Sequence, residues 1–121
     1  MAKVPIRRFR DLEVWKLGKQ ITLQIYRETL TFPREEVYGL TAQMRRAAVS
    51  IPSNIAEGFN RRYTRDFCKF LGIALGSCGE LETQAEISGD LEFLSHRAYD
   101  TILVELQREA KMLNSLIHKL A

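Results

Sequence analysis

The chain has 121 residues, 45% hydrophobic and 27% charged, and a formal net charge of +3. That is the length of one domain of ordinary globular composition, 1–121, with a core able to hide about two-thirds of the unfolded surface. No apolar run approaches the ~20 residues of a membrane-spanning helix, and the basic start MAKVPIRRFRDLE has no apolar stretch behind it, so a cytoplasmic protein without a secretion signal is expected.

The small net charge hides an asymmetry. Residues 1–69 carry 14 basic and 7 acidic side chains, whereas residues 70–121 carry 4 and 8. A basic half suits a nucleic-acid backbone. It suits equally well the acidic half of the same or a neighbouring subunit.

In chain order, residues 1–10 form a basic arm (Lys3, Arg7, Arg8, Arg10) expected to be extended or poorly ordered. A first helix is predicted from about Asp11 to Leu30, stopped by Phe32-Pro33. Its residues Val14, Leu17, Gly18, Ile21 and Ile25 form one stripe, and Leu12, Trp15, Leu23, Tyr26 and Leu30 form a second, roughly opposite. A helix apolar on two sides is expected to be covered on both.

Glu35 and Glu36 suit the N-terminus of the next helix. There Leu40, Met44, Ala47, Ile51, Ile55 and Gly58 share one face, and their phase runs straight through Pro52. One kinked helix is therefore predicted rather than two. Pro52 removes the bond to the Ala48 carbonyl, and Ser50, Ser53 and Asn54 are placed to satisfy exposed backbone nearby. Beside the apolar stripe runs a polar one: Gln43, Arg46, Ser50, Ser53, Asn54 and Glu57.

Thr64 is the expected N-cap of a third helix reaching about Ile87, with Phe67, Phe70, Leu71, Ala74, Cys78, Leu81 and Ala85 inward. Gly72, Gly76 and Gly79 lie on its other face. Each glycine costs a helix about 1 kcal/mol relative to alanine, so a closely approaching helix backbone is expected there, with glycines that simply face solvent as the alternative. Ser88-Gly89-Asp90 reads as the stop. Ser95 then caps a fourth helix to about Leu120, with Tyr99, Ile102, Leu106, Ala110, Leu113, Ile117 and Leu120 inward.

Four long helices with short links predict an all-α, up-down-up-down four-helix bundle. The unspent faces of helices one and three predict a homo-oligomer, with Trp15, Leu23, Tyr26, Gly72, Gly76 and Gly79 at the contact. Cys68 and Cys78 fall ten residues apart in one helix, about 15 Å along its axis. That is too far for a bridge, and two small buried thiols are expected.

No catalytic constellation stands out. His96 and His118 sit at opposite ends of one helix without Cys or His at ligand spacing, and no phosphate-binding glycine loop is present. Neither enzymatic activity nor a metal or cofactor is expected. A metal site using Glu80, Glu82 or Glu86 with His96 is the weaker alternative, against a solvated carboxylate face. The arginine clusters carry more information: Arg45-Arg46 and Arg61-Arg62-Arg65 flank the second helix, and Arg7, Arg8 and Arg10 are candidates to join them. Arginine's planar fork suits phosphate, and Phe59 and Tyr63 could stack on unpaired bases.

Three strings, FRDLEVWKLG, FPREEVYGLTAQMRRAAVSIPSNIAEGFNRR and FCKFLGIALGSCGELETQAEI, resemble the four-helix-bundle proteins encoded in intervening sequences of bacterial 23S ribosomal RNA genes. That resemblance implies an all-α up-down bundle assembling as a ring, typically a homopentamer, with no established enzymatic activity. A more distant relative is the accessory protein of diversity-generating retroelements, a basic pentameric barrel that binds reverse transcriptase and nucleic acid. RNA or DNA is thus an expected partner here. The competing expectation is a purely structural ring with Arg46 and Glu57 buried across a subunit contact and no nucleic acid bound.

Overall fold

The computed structural model describes residues 5–121, so the first four, including Lys3, fall outside it. A 3-10 turn, Phe9–Asp11, leads into α1, Glu13–Thr29. A second 3-10 turn, Arg34–Glu36, precedes α2, Leu40–Phe59; α3 spans Thr64–Asp90 and α4 spans His96–Leu120. Adjacent helices pack antiparallel through short links, and α2–α3 is the most extensive contact while α1–α4 is the least.

The inward stripes are those the spacing predicts. Val14, Leu17, Ile21 and Ile25 of α1, Met44, Ala47, Ile51 and Ile55 of α2, Leu71, Ala74, Cys78, Leu81 and Ala85 of α3, and Ile102, Leu106 and Leu113 of α4 form one buried cluster. Leu40 of α2, Phe67 and Phe70 of α3, and Tyr99, Ala110, Ile117 and Leu120 of α4 are only half-buried. α2 is a single helix through Pro52. Its first turn is capped from outside, where Glu36 Oε1 accepts from the Leu40 N–H at 3.0 Å.

Three boundaries differ from the sequence expectation. α1 begins at Glu13 rather than Asp11, and ahead of it the Asp11 carboxylate accepts the backbone N–H groups of Arg7 at 2.9 Å and Arg8 at 3.2 Å. Those two bonds hold the carboxyl below its ordinary pKa. Thr64 is the first residue of α3 rather than its cap; Tyr63 holds the cap position without a side-chain bond.

Finally, α3 does not stop at Ser88-Gly89. Ser88 is fully buried, and its hydroxyl donates to the Gln84 carbonyl at 2.8 Å and faces Met44 Sδ at 3.3 Å. The helix ends one turn later in a Schellman motif, with Glu92 N–H to Gly89 carbonyl at 3.0 Å and Phe93 N–H to Ser88 carbonyl at 2.9 Å. The left-handed residue of that motif is Glu92, with φ 63°, where glycine is usual. Ser95 caps α4 as expected, accepting from Ala98 N–H at 3.1 Å.

Candidate nucleic-acid interface

Antiparallel packing decides which arginines meet. The start of α1, the end of α2 and the beginning of α3 share one end of the bundle, and the Phe9–Asp11 turn packs on both α1 and α2. Arg7, Arg8 and Arg10 therefore join Arg61, Arg62 and Arg65 at that end, all exposed. His118 and Lys119 in the last turn of α4 lie at the same end.

Several of these side chains are steered by aromatic neighbours. The Arg10 guanidinium lies 4.7 Å from the Phe9 ring centre and 5.9 Å from that of Trp15. Arg61 lies 4.9 Å from the Phe70 ring and donates to Glu57 Oε1 at 3.0 Å. Arg62 sits 5.7 Å from the Tyr63 ring, which is 58% exposed. Stacking of this kind holds a guanidinium outward, and Arg61 uses one of its donors on Glu57. Phe59 does not serve as a second platform: it is half-buried, edge-on to Phe67 at 5.8 Å.

Arg45 and Arg46 do not belong to this cluster. They lie some 15 residues back along α2, about 22 Å away, and both are engaged. Arg45 Nε donates to Thr29 Oγ1 at 2.9 Å, and its guanidinium covers the Tyr26 ring at 4.6 Å, fastening α2 to α1. Arg46 bridges to Glu80 at 3.1 Å in an exposed pair. Within one chain, then, Arg46 and Glu57 each pair with another residue rather than with one another.

The opposite end of the bundle is acidic. Glu86, Asp90 and Asp100 line a depression of about 370 Å³ with His96 and Tyr99. Burial first, then the surrounding carboxylates, pushes the Tyr99 phenol above its ordinary pKa. Glu86 and His96 both line the depression, as the weaker metal reading required, whereas Glu80, on the same helix as Glu86, pairs with Arg46 of α2. Among the described residues no group of three or more His, Cys, Asp or Glu is placed to hold a metal ion. No described helix is long and apolar enough to cross a membrane.

The model of the 23S rRNA-intervening sequence protein family matches residues 10–115. The chain belongs to that family. A solved structure from the S23 ribosomal protein family, a Bacteroides thetaiotaomicron protein of unknown function, is similar with a TM-score of 0.78. It is 24% identical, and the match covers 86% of this chain and 97% of that one. At this identity the likeness shows the fold. No curated protein matches the chain.

In this member of the 23S rRNA-intervening sequence family the central helix carries a polar seam. Ser50 Oγ and Ser77 Oγ lie 2.8 Å apart, and Asn54 Nδ2 donates to the Ser50 carbonyl at 2.8 Å and to its Oγ at 2.9 Å. Ser53 lines an outer apolar groove instead, with Trp15, Leu23, Val49 and Pro52. The carbonyl that Pro52 frees is satisfied from another helix altogether. Thr22 Oγ1 of α1 lies 2.9 Å from the Ala48 carbonyl and equally far from that of Gly18.

Two positions central to the packing escape a reading by periodicity. Thr22 lies between the two apolar stripes of α1, and only the need of the Ala48 carbonyl marks it. Glu109 falls on the inward face of α4, seven residues after Ile102 and four before Leu113, yet its charge reads as solvent-facing. It is fully buried, and neither oxygen has a hydrogen-bond partner. Burial pushes its carboxyl up to about 8, against a smaller opposing pull from Arg108.

The candidate assembly faces are open in the single chain. Leu23, Tyr26, Leu30 and Val49 are exposed, as is Ile73 on α3, while Trp15 is half-buried. A Cβ added at Gly72, Gly76 or Gly79 would meet nothing within 4 Å. Among the described residues, then, no helix backbone makes the close approach expected at these glycines.

Proposed function

We propose that this chain is a non-enzymatic bundle protein that assembles with copies of itself and binds nucleic acid through its basic end. The observation that carries the second half is the gathering of Arg7, Arg8, Arg10, Arg61, Arg62 and Arg65 at the end of the bundle that also bears the exposed Tyr63, from two segments some 50 residues apart in sequence. Guanidinium groups there would contact phosphates, and Tyr63 would stack on an unpaired base. Single-stranded or looped RNA is the favoured ligand, because stacking on a side chain requires a base free of its helix. Assembly would multiply this end around a ring, adding avidity to a weak single site.

The assembly half rests on the open apolar positions of α1 and α2 and the uncovered glycines of α3. These two faces differ from each other, so contact between them is head-to-tail and closes as a ring when the rotation permits. A homopentamer is the proposed form. Light scattering on the purified protein reads the subunit number directly; a monomer at micromolar concentration refutes this half.

Titration of a labelled RNA hairpin at about 50 and 200 mM salt tests the other half. At the single-strand slope of about 0.7 per contact, a surface making six phosphate contacts loses about three-hundredfold in affinity between those salts. No binding at the lower salt refutes it.

A further inference from the structure

Glu109 is the one acidic side chain wholly enclosed by the described core, and its surroundings differ from those of a structural ion pair. From α1 the backbone of Gly18 faces it, so closely that a Cβ there would come within 2.9 Å of Glu109 Oε2 and 3.1 Å of Ile51 Cγ2. From α2 come Ile51 and the Pro52 ring, whose Cδ lies 3.5 Å from the same point. Neither helix turns a titrating group towards the carboxyl; Lys19, beside Gly18, is exposed. From α3 comes the Cys78 thiol, itself pushed up to about 12 by burial, then by Glu109 and Glu82. On α4 itself Arg108 is the favourable charge, and it is exposed.

We propose that Glu109 is a proton-dependent latch: the closed bundle accommodates it as a neutral acid, and its ionisation opens the seam between α1 and α4. The absence of a side chain at Gly18 makes the seat for this carboxyl. A carboxylate with no donor and no partner in that seat is costly. The cheapest relief is for water to enter at the α1–α4 seam, the least extensive of the contacts between adjacent helices. Opening there also loosens the Thr22 bond to Ala48, since Thr22 is one turn from Gly18.

The sign follows from linkage. The folded-state pKa is raised from an ordinary 4.5 to about 8. The contribution is therefore complete below about pH 4.5 and is lost as pH rises through about 8. Across that window the folding equilibrium constant falls about tenfold per pH unit on account of this one group.

Urea unfolding of the full chain and of Glu109→Gln between about pH 5 and 9 isolates the term. The wild type should lose stability relative to the variant at about tenfold in the folding constant per unit up to about pH 8, then run parallel to it. Parallel profiles throughout overturn the proposal. Infrared spectra of the wild type give the same answer should the variant not fold. A protonated carboxyl band present near pH 6.5, where exposed carboxylates are ionised, should vanish by about pH 9; its absence at the lower pH overturns the proposal. Trp15, the single tryptophan, stands near the start of α1. Its emission and the amide protection of α1 should change together with the carboxyl band, and a titrating band with an unmoved α1 overturns the latch.

Discussion

Replacing Thr22 by valine removes one hydroxyl from the bundle and keeps a β-branched side chain of nearly the same shape. The hydroxyl has a single proton and two carbonyls within 2.9 Å. Gly18's carbonyl already has the Thr22 amide of its own helix, whereas Ala48's has lost its partner to Pro52, so the proton belongs to Ala48. Without it a carbonyl in the α1–α2 contact is left unsatisfied, at a cost of about 1–3 kcal/mol. At about 2.1 cal/mol/K per residue, unfolding of a chain this size carries an entropy near 0.25 kcal/mol/K. Each kcal/mol then moves Tm by about 4 °C, so Thr22→Val should melt about 4–12 °C lower. The decisive comparison is the same substitution in a Pro52→Ala background, where residue 52 again has an N–H for Ala48. There the penalty should shrink, giving a coupling of about 1 kcal/mol or more by calorimetry or urea unfolding. Equal penalties in both backgrounds would refute the pairing of Thr22 with the proline gap.

Other substitutions follow from single contacts. Glu92→Gly places the residue that left-handed backbone favours in the Schellman motif after α3, and should raise stability by about 0.5–1 kcal/mol in urea unfolding. Gly58→Ala drives a Cβ to 2.6 Å from Phe70 Cβ and 3.2 Å from the Phe67 carbonyl; at this α2–α3 contact it should cost about 1–3 kcal/mol. Cys78, buried and with its pKa pushed up to about 12, should resist alkylation at pH 8 in the folded protein while half-buried Cys68 reacts first, as peptide mapping will read.

The fold was legible because its signals are redundant. Each helix repeats its inward residue every three or four positions for three turns or more, and the phase through Pro52 overrides the proline. Boundaries depend on single contacts and were less legible. Ser88 and Gly89 look like a stop, but Ser88 is held inside by Gln84 and Met44 from one turn and one helix away. The turn is made by Glu92, whose residue type gives no sign of a left-handed backbone. At the site, the sequence places arginine clusters at both ends of α2 without showing which of them the N-terminal arginines join. A helix of this length separates its ends, so the structure joins Arg61, Arg62 and Arg65 to the N-terminal arm and assigns Arg45 to holding helices together. Glu109 was illegible for a different reason. A lone glutamate between hydrophobic residues of a helix is nearly always at the edge of the stripe, and only the gap left by Gly18 on another helix makes room for it inside.

The salt dependence of RNA binding by Arg62→Ala, compared with the unsubstituted chain, bears most directly on the basic end as a nucleic-acid surface. Loss of one phosphate contact should lower the slope of log K against log salt by about 0.7 for a single strand, while Arg46→Ala, on the other part of the bundle, leaves the slope unchanged. Equal slopes for Arg62→Ala and the unsubstituted chain, or a loss confined to Arg46→Ala, would contradict the account.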